Sequence, residues 1–233
     1  MKIYFVAFAD TKFIKTLDRI GKEAVESKFF DVVETLSEKD LDQTFLERNG
    51  NFIKNNPRGY GYWIWKPQVC LQTFRKMNED DILVYCDAGC HINSNGKQRF
   101  SEYIEMAKQN GSVNFEMHHI ESHWTKKDCF DHLEVNQFAN TGQIMATIFM
   151  LKKNEINVKL VEEWLRLCEN YHLVNDEPSV NSNYPSFREH RHDQSLFSLL
   201  RKKVGFKTIP DETYSSNWLI IQHIPFQARR IKF

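Results

Sequence analysis

Residues 81–90 read DILVYCDAGC, and this stretch decides the fold. A continuous apolar run of this length is typical of a strand that is buried on both faces, as in a parallel sheet. The run stops at Ala88 and Gly89, where a turn must begin. The stretch therefore predicts a central strand that presents Asp87 at its carboxyl end.

The segments before and after this strand alternate between the periods of strands and helices. Apolar residues recur at helical spacing between the short apolar runs. This alternation lasts for more than a hundred residues and predicts α/β architecture. The flanking strands are predicted at residues 2–9, 30–36 and 112–117, with helices around residues 13–24, 38–48, 69–77 and 100–107.

The second half of the chain adds irregular segments to the same pattern. Residues 118–140 have no sustained period, which indicates loops and short helices over one end of the sheet. The other predictions are a strand at 144–151, a helix at 161–171, a polar loop at 175–191, a helix from 192, a strand at 218–222 and a basic tail at 223–233.

Composition and charge exclude several classes of protein. The 233 residues include 31 Lys and Arg against 31 Asp and Glu, so the net charge is zero and we expect no nucleic-acid partner. Five cysteines without paired spacing favour a reducing compartment, and Asp10 interrupts the first apolar run before it could form a signal peptide. We therefore expect a cytoplasmic protein. No window reaches the ~18 apolar residues of a membrane span, so any membrane contact would be peripheral.

Polar residues at the ends of predicted strands are candidates for chemistry, because open α/β sheets bind ligands there. Asp87 could bind a ribose hydroxyl or a divalent cation, and Gly89 would let a ligand approach the backbone. Alternatively, Asp87 only caps the turn. A zinc site of Cys86, Cys90 and His91 is disfavoured, because Cys86 and Asp87 point to opposite faces and no second cysteine pair follows.

Two further segments combine unusual residue types. Residues 58–67, RGYGYWIWKP, contain four aromatic residues that would seek cover, which predicts a hydrophobic wedge between a helix and the sheet. In the same segment, Lys66 lies at a predicted helix start, where it could face a phosphate. Asp193, in the segment RHDQ, either caps a helix or deprotonates or aligns a hydroxyl. Capping does not account for His192 and Gln194. Arg229 in the basic tail could bind a diphosphate.

Familiar motifs of other enzyme classes are absent from the sequence. There is no GxGxxG after a strand, no GxxxxGK[ST], no GxSxG and no HExxH. Dehydrogenase, P-loop kinase, serine hydrolase and zincin functions therefore have no support.

Taken in order, RGYGYWIWKP, DILVYCDAGC, ESHWTKKDCF and HRHDQSLFSLL resemble a family of small bacterial GT-A glycosyltransferases that build surface polysaccharides such as lipopolysaccharide O-antigen and capsule. The resemblance runs from the first strand to about residue 210. It implies one GT-A domain over 1–233, with a Rossmann-like, mostly parallel sheet, a nucleotide-sugar half at about 1–117 and an acceptor half at about 118–233. The implied reaction moves a hexose from a nucleoside diphosphate sugar, expected to be a UDP-sugar, to a glycan or lipid-linked saccharide.

The resemblance also implies roles for individual residues. Asp87 takes the place of the family's strand-end acid, next to the ribose and metal. Asp193 is the expected catalytic base, and Glu121 is the second candidate. Nucleotide-sugar contacts are expected at Tyr62, Trp65, Lys66, Asp87, Ala88, Gly89, His192, Gln194 and Arg229.

The sequence departs from the general Asp-x-Asp motif, because Gly89 stands at the second acidic position. Either Asp87 binds Mg²⁺ or Mn²⁺ with a distant partner such as His223, or Lys66 and Arg229 offset the diphosphate charge without a metal. Both designs stay open from the sequence.

Two other functions and two kinds of partner also stay open. The missing acid favours a non-catalytic scaffold on a degenerate fold. A sugar nucleotidyltransferase is less favoured, because FADTKF follows the first strand in place of a basic, glycine-rich loop. The tail, with Phe226 and Phe233, could touch the anionic inner face of the cytoplasmic membrane. Exposed aromatic residues leave room for an oligomer interface.

Overall fold

The alternation of side chains along the first strand requires cover on both faces of the sheet. In β1 (Ile3–Phe8), Tyr4 and Val6 join one hydrophobic cluster, whereas Phe5 joins the other. Successive side chains of a strand point to opposite faces, so helices must pack on both. The computed structural model describes residues 1–232 and has this three-layer, helix–sheet–helix arrangement.

Within residues 1–232, ten strands form three sheets. The strands after β1 are β2 (Val32–Leu36), β3 (Ile82–Cys86), β4 (His91–Ile92), β5 (Ser112–Val113), β6 (Phe115–Ile120), β7 (Gly142–Ile144), β8 (Ile148–Lys152), β9 (Ile209–Pro210) and β10 (Phe226–Gln227). The central sheet has the order β2-β1-β3-β8-β5, and only β8 runs against the other four of these described strands. The small sheets are β4-β10 and β7-β6-β9.

Helices cover both faces of the central sheet. They are α1 (Ile14–Ser27), α2 (Gln43–Asn55), α3 (Gly59–Tyr62), α4 (Trp65–Lys76), α5 (Lys97–Asn110), α6 (Glu121–Trp124), α7 (Lys127–Leu133), α8 (Glu155–Glu169), α9 (Tyr171–Val174) and α10 (His192–Val204). The apolar stripes of α1 and α5 pack on one face, and those of α4, α8 and α10 pack on the other. No helix within residues 1–232 is long and apolar enough to cross a membrane.

The structure confirms the predicted α/β class and the mostly parallel sheet, but two predicted strands are divided. Residues 112–117 separate at Asn114, whose side chain donates to Ser112 Oγ and to the carbonyl oxygen of Lys207. Residues 144–151 separate into β7 and β8. The chain between β7 and β8 includes Ala146, whose backbone is thereby free to bind side chains of the site described below.

The prediction of a strand at 218–222 is wrong. The segment forms turns, in which Asn217 accepts hydrogen bonds from the amides of Leu219 and Ile220. Leu219 and Ile220 are 74% and 65% exposed, so their apolar run is not the buried pattern that it resembles. Local side chain-to-backbone bonds of Asn compete with strand pairing.

Candidate active site

A lysine lies between two carboxylates at the carboxyl end of β3. Lys66 Nζ is 3.1 Å from Asp87 Oδ1 and 3.1 Å from Asp193 Oδ2. Asp87 directly follows β3, Lys66 is the second residue of α4, and Asp193 is the second residue of α10. Two helix N-termini and a strand end therefore bring together three residues that the sequence singled out separately.

The three charges differ in their access to solvent. The side chains of Lys66 and Asp193 are 4% and 5% exposed, whereas that of Asp87 is 33% exposed. Burial raises the pKa of Asp193 to about 6. The charge of Lys66 lowers this pKa, and the charge of Asp87 raises it by a smaller amount than burial does. Burial by itself lowers the pKa of Lys66, but the two carboxylates raise it above its ordinary value. Lys66 is therefore an ammonium ion whose charge is shared by two acids.

Lys66 has a third contact within the protein. Its Nζ donates to the carbonyl oxygen of Ala146 at 3.0 Å, so the ammonium group is enclosed by Asp87, Asp193 and this carbonyl. The expected contact of Lys66 with a phosphate stays a prediction.

A hydrogen-bonded network extends from this centre towards β7 and α6. The Tyr85 hydroxyl donates to Asp87 Oδ1 at 2.8 Å. Gln194 accepts from the amide of Ala146 at 3.2 Å and donates to Gln143 Oε1 at 2.7 Å. Gln143 was not singled out from the sequence, since its place beside a predicted strand carries no signal of chemistry. It connects Gln194 to the second predicted catalytic acid.

Glu121 is that second acid, and it has no exposed surface. It accepts from Gln143 at 3.2 Å and from Thr125 at 3.0 Å, pairs with Lys202 at 2.8 Å and accepts from Ser198. Burial raises its pKa, and Lys202 opposes the shift. The structure therefore places Glu121 in the interior, with all of these contacts to protein groups, and its catalytic role stays a prediction.

The segment before Lys66 has an uncommon backbone. Gly59, Tyr60, Gly61, Tyr62 and Trp63 all have positive φ, between 53° and 83°, so α3 is a left-handed turn. For residues other than glycine, this left-handed conformation costs ~1–2 kcal/mol of conformational free energy per residue. Glycine is required at position 61, where an added Cβ would lie 2.8 Å from a side-chain carbon. Such strain persists only where surrounding contacts stabilise it.

Aromatic contacts hold the left-handed turn in place. Trp65 stacks on Phe8 with ring centroids 4.0 Å apart and donates to the carbonyl oxygen of Gly59 at 2.9 Å, which confirms the predicted wedge. The Tyr62 ring stacks on His192 at 4.8 Å. His192 itself has φ of 51° and bonds the carbonyl oxygen of Val174 through Nδ1 at 2.8 Å. The turn is thus attached to the residue that precedes Asp193.

The end of the chain crosses the turn after β3. The amide of Ile231 donates to the carbonyl oxygen of Gly89 at 2.8 Å, and a Cβ at position 89 would lie 3.3 Å from Arg230 Cα. Ala88, expected beside the nucleotide, is 7% exposed. Arg229 lies over the Trp218 ring and bonds Gln227, so its expected contact with a diphosphate stays a prediction. Glycine at 89 therefore lets the C-terminal backbone lie directly against the motif.

The residues that the structure describes do not bring together a set of three protein ligands for the divalent cation that the resemblance implies. Within residues 1–232, no group of three or more His, Cys, Asp or Glu side chains is placed to hold a metal ion. One oxygen of Asp87 already faces Lys66 and Tyr85. His223 is exposed and makes no ion pair with Asp87 in the described chain. A shared metal between these two residues stays a prediction.

A cleft of about 360 Å³ lies at the carboxyl ends of β1 and β2. Asp10, Thr11 and Glu38 line it from the two strand ends, and Tyr60 of the left-handed turn closes one side. Its volume is within the range of small-molecule sites, roughly 300–1,000 Å³. The cleft lies at the carboxyl ends of β1 and β2, and the charged centre lies at the carboxyl end of β3, which is the neighbour of β1 in the sheet.

Comparison with solved structures identifies the fold. The chain is similar to mouse xyloside xylosyltransferase 1 in its apo form, with a TM-score of 0.51 and 10% identity over 98% of this chain and 97% of that chain. It is also similar to a glycosyltransferase involved in glycosylation of the major capsid of PBCV-1, with a TM-score of 0.51 and 11% identity over 97% and 93% of the two chains. No protein-family model matches the chain, and a search of curated proteins finds no significant match. The fold is that of the GT-A glycosyltransferases.

Proposed function

We propose that this chain is a glycosyltransferase that moves a hexose from a nucleoside diphosphate sugar, specifically a UDP-sugar, to a saccharide acceptor. The observation that carries the proposal is the Lys66–Asp87–Asp193 centre at the carboxyl end of β3. Ligands of open α/β sheets bind at this edge. The GT-A fold and the adjoining cleft support the same function.

In the proposed arrangement the nucleoside occupies the cleft at the ends of β1 and β2. Asp10 and Glu38 offer carboxylates to ribose hydroxyls, and Tyr60 offers a ring to the base. Asp87, the more exposed carboxylate of the centre, faces the sugar nucleotide. The hexose then lies between Asp87 and the N-terminus of α10.

Asp193 is the proposed base. The acceptor oxygen forms a bond to the anomeric carbon, the bond from that carbon to the diphosphate oxygen breaks, and the hydroxyl proton moves to Asp193. With a pKa of about 6, Asp193 is ionised at neutral pH and still a better proton acceptor than an ordinary aspartate. Gln194 and His192 position it through the network and the left-handed turn.

The test combines nucleotide binding with a transfer assay. UDP-, GDP-, CMP- and dTDP-sugars are titrated with and without Mn²⁺ in a thermal-shift experiment, because ligands of the native state raise its apparent stability. Asp193→Asn should lower kcat at least ~100-fold and leave UDP affinity within twofold. The matched control is Asp18→Asn, at an exposed position of α1. Absence of any nucleotide-dependent shift in the wild type would sink the proposal, and binding without transfer would favour the scaffold alternative.

We also propose a lipid-linked acceptor of a bacterial surface polysaccharide, reached at the inner face of the cytoplasmic membrane. Tyr214, Leu219 and Ile220 are exposed, and basic residues follow at Arg229 and Arg230. Phe226 is fully buried, which differs from its predicted membrane contact, and Phe233 lies outside the described residues.

Vesicle sedimentation tests this membrane contact. The wild type should sediment with vesicles that contain phosphatidylglycerol more than with phosphatidylcholine vesicles. Leu219→Ser should reduce that binding, whereas Val25→Ser, at a 63% exposed position of α1, should not. Equal sedimentation with both vesicle types would remove the anionic-membrane proposal.

A further inference from the structure

Two arginines and a histidine lie against the Trp124 ring at the end of α6. The Arg191 guanidinium lies 4.2 Å from the ring centroid and that of Arg188 lies 5.9 Å away. The His119 ring meets the same indole edge-on, with centroids 5.4 Å apart. A guanidinium that stacks on an aromatic ring keeps its N–H edges free to bind carboxylate or phosphate in a bidentate manner.

The backbone holds these side chains in place. The amide of Arg188 donates to the carbonyl oxygen of His123 at 2.9 Å, and the amide of Arg191 donates to that of Trp124 at 2.9 Å. Ser195 Oγ donates to the same Trp124 oxygen at 2.8 Å. These bonds attach the loop before α10 to α6, so Arg188 and Arg191 project from a loop whose backbone is held next to Trp124.

Positive charge exceeds negative charge around this indole. Glu189 lies 3.8 Å from Arg191 but makes a shorter pair with Arg58, at 2.6 Å. In the part of the chain that the structure describes, Arg188 and Arg230 make no ion pair. Asp211, the carboxylate that acts on His119, already accepts from the amide and hydroxyl of Thr213.

The protonation equilibria agree with this excess. Partial burial lowers the pKa of His119, and the charges of Arg191 and Arg230 lower it further. Burial also lowers the pKa of Arg191, where Glu189 opposes the shift and Arg230 adds to it. Cations that lie close together disfavour one another's charged forms. An anion that binds among them stabilises those charged forms.

We propose that Arg188 and Arg191 at the Trp124 ring, with Arg230 at the neighbouring Gly89 turn, bind a negatively charged group, a carboxylate or a phosphate, on the acceptor saccharide. This inference rests on the proposed function, because it names the class of substrate that shares the site with the donor. The acceptor is an acidic or phosphorylated sugar.

Position assigns the cluster to the acceptor and not to the donor. Arg191 is two residues before Asp193. Arg230 lies over Gly89, and Gly89 is two residues after Asp87. The cluster therefore borders the charged centre. Arg188 and Trp124 belong to the loop before α10 and to α6, beyond the strands β1 and β2 whose ends line the nucleotide cleft. The acidic group therefore binds on the side of the centre away from that cleft.

Calorimetric titration of simple sugars tests the inference. The probes are methyl β-D-glucuronide, glucose 6-phosphate, methyl β-D-glucoside and inorganic phosphate, each with and without saturating UDP. The charged sugars should bind about tenfold more tightly than methyl glucoside, since charge-assisted hydrogen bonds supply the difference. Arg188→Gln and Arg191→Gln should each remove most of this preference. The tighter of the two charged sugars identifies carboxylate or phosphate.

The matched control is Arg166→Gln, which changes an exposed arginine on α8 that pairs with Glu163 of its own helix and should keep the preference. Equal affinity for charged and neutral sugars would overturn the inference. It would also be overturned if inorganic phosphate bound as tightly as glucose 6-phosphate, or if the two variants weakened UDP binding in place of sugar binding. Failure of UDP to bind would count against the proposed function, while the titrations without UDP would still test the anionic group.

Discussion

At the scale of single residues, the charge balance of the site depends on Lys66. Two carboxylates and one ammonium group meet with distances of 3.1 Å, and only Asp87 has substantial contact with solvent. Removing charges from water is costly, and a buried carboxylate that loses its counterion is strongly disfavoured in its ionised form. Lys66 therefore lowers the pKa of Asp193, whereas burial raises it.

The first prediction concerns pH. Asp193 has its pKa raised to about 6 and must be ionised to accept a proton, so log kcat/KM should fall as the pH drops below about 6. Lys66 lowers the pKa of Asp193, and its removal in Lys66→Met must raise that pKa. The acid limb of the pH–rate profile should then move to higher pH.

Steady-state kinetics between pH 4.5 and 8.5 measures this shift. Lys159→Met is the control, since Lys159 is an exposed residue of α8 that pairs with Glu155 of its own helix and should leave the limb in place. A profile of Lys66→Met that overlays the wild type would show that Asp193 is not the titrating base.

The sequence was sufficient to select Asp87, Lys66 and Asp193 as candidates, but not to predict that they are in contact. Asp87, Lys66 and Asp193 each lie at a predicted element end, where sheet topology concentrates chemistry. That Lys66 would pair with both acids depends on how α4 and α10 pack against β3, which no local pattern encodes. Gln143 gave no signal, and the burial of Glu121 depends on Lys202, 81 residues further along the chain.

At the scale of elements, the left-handed turn α3 is the most strained part of the site. The backbone strain of its four positive φ values, and of a fifth at Trp63, is offset by the stacking of Trp65 on Phe8 and of Tyr62 on His192. The alternation of glycine with aromatic residues predicted the wedge. It did not predict the handedness, because Tyr and Trp disfavour this conformation locally and adopt it only with tertiary contacts.

The second prediction compares two glycines. Gly61→Ala should lower the free energy of unfolding by about 2 kcal/mol, because alanine is strained at a φ of 83° and its Cβ would meet Ile53 Cγ1 at 2.8 Å. Gly50→Ala, in α2 with open space around it, should raise that free energy by ~0.5–1 kcal/mol. Urea unfolding of both variants measures the difference. Equal effects of the two changes would contradict a left-handed turn at Gly61.

At the scale of the whole molecule, the end of the chain returns to its first half. β10 pairs with β4 through Phe226 and Ile92, and the amide of Ile231 bonds Gly89. The composition of this segment predicted only a basic tail, with Phe226 available for membrane contact. Burial of Phe226 among aromatic residues that are more than a hundred positions earlier could not be read from local periodicity, whereas the α/β class could, because it follows from alternation alone.

The third prediction therefore concerns Phe226. Its ring is fully buried, with centroids 5.9 Å from Phe100 and 6.4 Å from Phe30, so Phe226→Ala leaves a cavity between β10 and α5. Truncation of such a ring costs about 3–5 kcal/mol. Phe13→Ala, at a 39% exposed ring, should cost less than about 1 kcal/mol. Urea unfolding measures both, and hydrogen exchange at the amide of Ile231 should accelerate in Phe226→Ala. A loss under about 1 kcal/mol for Phe226→Ala would mean that the fold and its charged centre do not depend on the return of the C-terminal segment.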